Sequence, residues 1–183
     1  MKTLVITDVQ RDFYHPEGSL YVLGGELLPA KIMAIADNYD KVVFSLDWHP
    51  GDHCSFKENG GIWPAHCVAF TQGAGLADEF AALLVKGSDT VYDKVSFYFK
   101  GKNPQEEQYG AFPEGPVDFP WMEESDEIHI CGIAGDYCVK ETARNIINFG
   151  YADKLTVLLD CTVSIDGGET LDAFIKEYKL KTA

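Results

Sequence analysis

The stretch KTLVITD, residues 2–8, decides how the fold is read. Its run of apolar and β-branched residues is too short for a helix and reads as a buried strand that stops at Asp8. The same design returns in KVVFSLD, residues 41–47, a run over 41–46 that stops at Asp47. Between them, ELLPAKIMAIADNY, residues 26–39, has apolar residues at helical spacing, with Pro29 in the first turn where its missing N–H is harmless. Strand, helix and strand make one crossover unit.

The pattern recurs late in the chain. DEIHICGI, residues 126–133, reads as a strand, DYCVKETARNIINFG from Asp136 as a helix ended by Gly150, and KLTVLLDC from Lys154 as another strand. A further short strand is expected over DTVYDK, residues 89–94, ending at Lys94. This alternation predicts an α/β fold of three layers, α/β/α, with a mostly parallel central sheet and right-handed connections. Ligands of such sheets gather at the carboxyl ends of the strands. Asp8, Asp47, Lys94 and the segment running to Cys138 all fall there on this reading. Less regular stretches cover 71–88, with a helix expected near 76–84, then 101–120, and the part after Ser164.

The 183 residues are 46% hydrophobic, enough for a single domain over 1–183 with a substantial core. Fifteen lysines and arginines against 29 aspartates and glutamates give a formal charge of −14. A field of that sign repels phosphate backbones and anionic lipid, which argues against nucleic acid and membrane as partners and favours a small-molecule substrate. Nowhere does an apolar run reach the length of a membrane helix, so a soluble cytoplasmic protein is expected. The five cysteines are odd in number and lack CxxC spacing, which argues against a disulfide framework or a thiolate zinc knuckle.

Chemistry concentrates in SLDWHPGDHCSF, residues 45–56, and WPAHCV, residues 63–68. Asp47 and His49 stand two apart at a strand end, and the chain can fold back to bring His66 to the same point. Two histidines and a carboxylate leave coordination positions open, as a metal that receives water or substrate requires. Zinc is the first choice, with iron(II) or manganese(II) as alternatives. His53 is either a fourth ligand or a residue that orients the loop by a hydrogen bond, the latter preferred. Taken alone, the same spacing also fits a polar surface loop.

CGIAGDYCV, residues 131–139, carries Cys138 into the first turn of a helix, where free N–H groups and the helix dipole favour a thiolate and can hold an oxyanion. Asp8 and Lys94, on other strand ends, supply a base and a balancing charge in an arrangement without histidine. Each of the two, read singly, is an ordinary strand-terminal salt-bridge residue.

As an ordered set, DVQRDF from Asp8, DWHPGDHCSF from Asp47, WPAHCV from Trp63, the Lys94 strand end and CGIAGDYCV resemble the nicotinamidase and pyrazinamidase group of isochorismatase-like cysteine hydrolases. The matching segments span most of residues 1–145. The resemblance implies an amidase acting on nicotinamide, with Asp8, Lys94 and Cys138 as the triad and a metal held by Asp47, His49 and His66 that anchors the ring. It implies a cis peptide between Ile133 and Ala134 that turns the Ala134 N–H toward that of Cys138, and it assigns Phe13 and Trp63 to stacking on the substrate, with Ile133 beside them. The chain departs from the family after Lys94, where VSFYFKGKNPQEEQYGAF leaves open whether Phe97, Tyr98, Phe99 or an aromatic of 109–112 closes the pocket. The C-terminal helix from Gly168 carries no chemical motif, and room remains for a homo-oligomer. Rival readings are a metal-hydroxide hydrolase with Cys138 as bystander, a metal-free relative acting on another amide, and a metal-binding protein without turnover.

Overall fold

The computed structural model describes residues 1–85, 94–113, 115 and 118–183. Within them, β1 (Lys2–Thr7), β2 (Lys41–Asp47), β3 (Val95–Lys100), β4 (Glu127–Ile133), β5 (Leu155–Val163) and β6 (Lys181–Thr182) form one sheet of order β3-β2-β1-β4-β5-β6. Every pairing in it is parallel. The chain starts in the middle, winds outward through β2 and β3, then returns to β4 on the other side of β1. The crevice between the carboxyl ends of β1 and β4 is therefore the point where a doubly wound sheet accepts ligands.

Strand alternation splits the core. Leu4, Ile6 and Phe44 face one side, where they meet Leu28, Ile32 and Ala36 of helix α2 (Leu28–Ala36). Val5, Val43 and Ile130 face the other. There they pack against α4 (Pro120–Glu124), α5 (Lys140–Asn148) and α6 (Glu169–Tyr178), through residues such as Trp121, Ile146 and Phe174. Burial on both faces explains why β1 and β2 read as unbroken apolar runs. Two shorter helices, α1 (Arg11–Tyr14) and α3 (Ala81–Val85), sit in the connections. Among the described residues, no helix is long and apolar enough to cross a membrane.

The third strand differs from expectation. Residues 89–93 of the expected DTVYDK strand lie outside the described residues, and the strand that pairs with β2 is Val95–Lys100. Lys94 precedes its amino end, so it is at the opposite edge of the sheet from the other candidate residues. The segment from Asp136 also begins earlier and differently, as a π-helical turn over Gly135–Val139 that runs into α5.

Candidate active site

The β1 ladder with β2 ends at the pair Thr7 and Ser45, and Asp8 turns out of the strand with φ 51°, a left-handed conformation unusual for a residue with a side chain. Its Oδ1 accepts a hydrogen bond from the Ser45 hydroxyl at 2.9 Å. Asp47, the last residue of β2, pairs in register with Lys100, the last of β3. Because β1 has already turned away, the Asp47 backbone finds its other partner in a side chain: Gln10 accepts from the Asp47 N–H and donates to its carbonyl, each at 2.8 Å.

Lys100 joins these strand ends. Fully buried, its ammonium lies 2.7 Å from Asp8 Oδ2, donates to Asp47 Oδ1, and reaches Cys138 Sγ at 3.4 Å. The lysine of this arrangement is thus Lys100, and the expectation for Lys94 is corrected: both end a short run that reads as a strand, but only Lys100 occupies a carboxyl end. Burial opposes the Lys100 charge, yet the two carboxylates outweigh it and hold its pKa well above the usual lysine range. Burial likewise opposes ionisation of Asp47, but Lys100 and the neighbouring histidines keep its pKa well below the ordinary carboxylate range.

Asp8 moves the other way. Its burial, reinforced by the Asp47 charge, raises its pKa against the pull of Lys100. Cys138 is raised well above the ordinary thiol range, first by burial and then by Asp8 and Asp47, with Lys100 opposing. Desolvation and the two carboxylates therefore act against the thiolate expected from the helix end alone. Asp8 Oδ2 has an ion-pair partner but no hydrogen bond of good angle, which leaves it a lone pair for a proton.

Gly132 lets β4 approach β1 here. It has φ 125°, and a Cβ on it would meet the Thr7 carbonyl at 2.0 Å. The next bond, Ile133 to Ala134, is cis, as the resemblance implies. Ala134 lines the cavity beside Cys138, but Ile133 does not: its side chain is 1% exposed, sits in the core and reaches toward Gly25. Strand alternation turns it inward, which corrects its assignment as a substrate-facing residue.

On the other side of Asp47, nitrogen and oxygen atoms of Asp47, His49 and His66 all lie within 4.8 Å of one another. His49 Nδ1 is 2.9 Å from the Gly101 carbonyl, and His66 Nδ1 is 2.8 Å from that of Pro64. Such contacts put the proton on Nδ1 and leave each Nε2 lone pair free. Those nitrogens point at Asp47 Oδ2 from 3.4 and 3.8 Å. Two imidazole lone pairs and a carboxylate converging in a buried place fit a divalent cation. His53 is oriented oppositely: its Nδ1 accepts from the Ser55 N–H, which leaves the proton on a buried Nε2 without a hydrogen-bond partner. Its ring lies 4.1 Å from that of His49, outside the converging set.

Asp47, His66 and Cys138 open onto one tight cavity, whose roughly 350 Å³ of empty space includes open solvent. Phe13 and Trp63 line it, and so do Tyr109 and Tyr137. The Trp63 indole N–H donates to the Tyr109 hydroxyl at 3.1 Å, and both rings contact Tyr137. Among the aromatics left open, Tyr109 is therefore the one at the cavity. Phe97 and Phe99 turn onto Phe44 and Trp48, and Tyr98 packs on Phe112 and Phe119. Sequence reasoning missed Lys100, Gln10, Ser45 and Tyr137. The alternation of Val95, Phe97 and Phe99 ending on Lys100 was a signal for the first; nothing local marks the others.

The isochorismatase domain family matches residues 2–183. The chain belongs to the isochorismatase family. The nicotinamidase of Saccharomyces cerevisiae is 34% identical over 215 aligned residues, covering 98% of this chain and 96% of that protein. Among solved structures, the yeast nicotinamidase bound to the inhibitor nicotinaldehyde superposes with a TM-score of 0.83 at 30% identity, covering 100% of this chain and 99% of the other. The pyrazinamidase of Pyrococcus horikoshii in complex with zinc gives a TM-score of 0.79 at 28% identity, covering 100% and 98%. As an isochorismatase-family protein, the chain keeps a thiol, a carboxylate and an ammonium together at the carboxyl ends of the sheet.

Proposed function

We propose that this protein is a nicotinamidase: it hydrolyses nicotinamide, and pyrazinamide with it, to the acid and ammonia, and serves the salvage of NAD. The observation that carries the reading is a single small cavity, walled by Phe13 and Trp63, with Cys138 at one side and Asp47 and His66 at another. A flat heteroaromatic ring would stack against these aromatic walls, with its carboxamide toward sulfur and its ring nitrogen toward the cation cluster. The relatives, named for nicotinamide and pyrazinamide hydrolysis, support the same class.

In this reading Asp8 takes the Cys138 proton and the sulfur attacks the carboxamide carbon. As the C–N bond breaks, Asp8 returns the proton to the departing ammonia. Water then cleaves the acyl thioester, releasing the acid and restoring the thiol. Lys100 holds both carboxylates in place and balances the negative charge that passes between Asp8 and sulfur. The backbone N–H groups of Ala134 and Cys138 receive the oxyanion.

Asp47, His49 and His66 would hold the divalent ion, zinc before iron or manganese, and His53 would support the loop by the hydrogen bond that its Nδ1 accepts from the Ser55 N–H. When bound, the ion supplies a Lewis-acid anchor for a pyridine-type nitrogen. The proposal also takes residues 1–183 as one domain in the cytoplasm. Ammonia release from nicotinamide, pyrazinamide and benzamide tests it: benzamide lacks the ring nitrogen, so it should be the poorest of the three, and equal rates on all three would remove the role given to the cation cluster.

A further inference from the structure

Ile165 stands apart from the other aliphatic walls of the cavity. Val22 and Ala134 belong to the core and Leu20 packs against it, whereas Ile165 belongs to neither core cluster and is 49% exposed. Core packing does not hold this side chain in place, so its backbone must. The Ile165 N–H donates to Asp136 Oδ1 at 3.0 Å, and the Asp166 N–H donates to Asp136 Oδ2 at 3.1 Å. Asp136 is itself buried, 5% exposed, and sits in the same turn, Gly135–Val139, that carries Cys138.

The tether continues beyond the loop. Asp166 accepts from the N–H groups of Gly168 and Thr170 at 2.8 and 2.9 Å, which ties the loop to the start of α6. Gly135 closes the approach from the other side, since a Cβ there would meet the Ser164 hydroxyl oxygen at 2.2 Å. One carboxylate thus fixes the distance between the nucleophile turn and an otherwise unsupported wall of the cavity.

We infer that Asp136 is a positioning residue that holds Ile165 as the size-limiting wall at the cavity mouth, so that the pair sets how large a ring the site admits. The inference rests on the reading of this cavity as the amide site. A tether of this kind makes a sharper boundary than packing, because both oxygens of the carboxylate are engaged by consecutive backbone donors.

The test uses the metal-loaded protein and the variants Ile165→Ala, Asp136→Ala and the double variant, with nicotinamide and a ring-methylated nicotinamide as substrates. Each single change is expected to raise KM for nicotinamide by about tenfold, the scale on which a few methylenes act in an apolar pocket. Each should also raise the ratio of kcat/KM for the methylated over the parent amide, and the double variant should shift that ratio no further than the larger single, because both changes remove one wall. Ratios that multiply in the double variant, or an Asp136→Ala protein that loses kcat with KM and ratio unchanged, would overturn the inference. Should Asp136→Ala fail to fold, Asp136→Asn, which keeps one acceptor oxygen, is expected to shift the ratio in the same direction by less; an unmoved ratio counts against the tether. Amide exchange at Ile165 and Asp166 reads the tether without substrate: it should quicken in the Asp136 variants, and unchanged exchange defeats the inference. Quickened exchange in a protein whose wild type releases no ammonia from either amide would defeat the nicotinamidase reading and leave the tether standing.

Discussion

At the amino end of β3, Lys94 is only partly buried, and the neighbouring amino ends of β1 and β4 carry an ordinary surface pair, Lys2 with Glu127 at 3.4 Å and side chains 38% and 58% exposed. At the carboxyl end of the same strand, Lys100 is fully buried against two carboxylates and a thiol. Exposed pairs contribute about 0–1 kcal/mol and tolerate loss, because water replaces the missing partner. Buried charges are costly to desolvate and persist only while every partner is present. One end of the sheet is therefore ordinary surface, and the other holds charges that folding alone would not select.

The largest expected effect falls on the sulfur. Cys138→Ala should reduce ammonia release from nicotinamide by about four orders of magnitude or more while leaving bound metal near the wild-type level. Alkylation of the wild-type thiol should do the same, and an alkylated protein with full activity would favour a metal-hydroxide hydrolase. Next, Lys100→Met strands two buried carboxylates and should lower stability to urea by about 3–5 kcal/mol. The matching change at the other end of the strand, Lys94→Met, should stay within about 0.5 kcal/mol, and similar losses from both would erase the contrast.

Loss of the cation gives a graded comparison within the cluster. Exhaustive chelation should abolish nicotinamide hydrolysis and zinc should restore it; activity untouched by complete removal would end the anchoring role. His66→Ala should weaken metal retention strongly, while His53→Ala, changing a supporting hydrogen bond, should weaken it by about 10- to 100-fold, measured by competition with a chelator. Equal losses would make His53 a direct ligand.

Much of this was legible in residue order. β1 was read with its observed bounds, and β2 and β4 to within a residue, because strands buried on both faces announce themselves as apolar runs. The converging set of Asp47, His49 and His66 was visible because its members lie close in sequence. Lys100 was not, because β3 is an edge strand whose outward aromatics, Phe97 and Phe99, look like loop or pocket residues, and the preceding run also ends in lysine. The amide of Gln10 and the hydroxyl of Ser45 were invisible for a different reason: their partners depend on where β1 stops pairing, and a single left-handed residue, Asp8, decides that.

That one ammonium touches both Asp8 and Asp47 has a consequence for anyone wishing to alter this enzyme. The carboxylate that would grip the ion and the one that would move the proton share a counter-charge, so exchanging one cation for another would be felt, through Lys100, by the base beside the sulfur. Metal preference and reaction rate would then drift together.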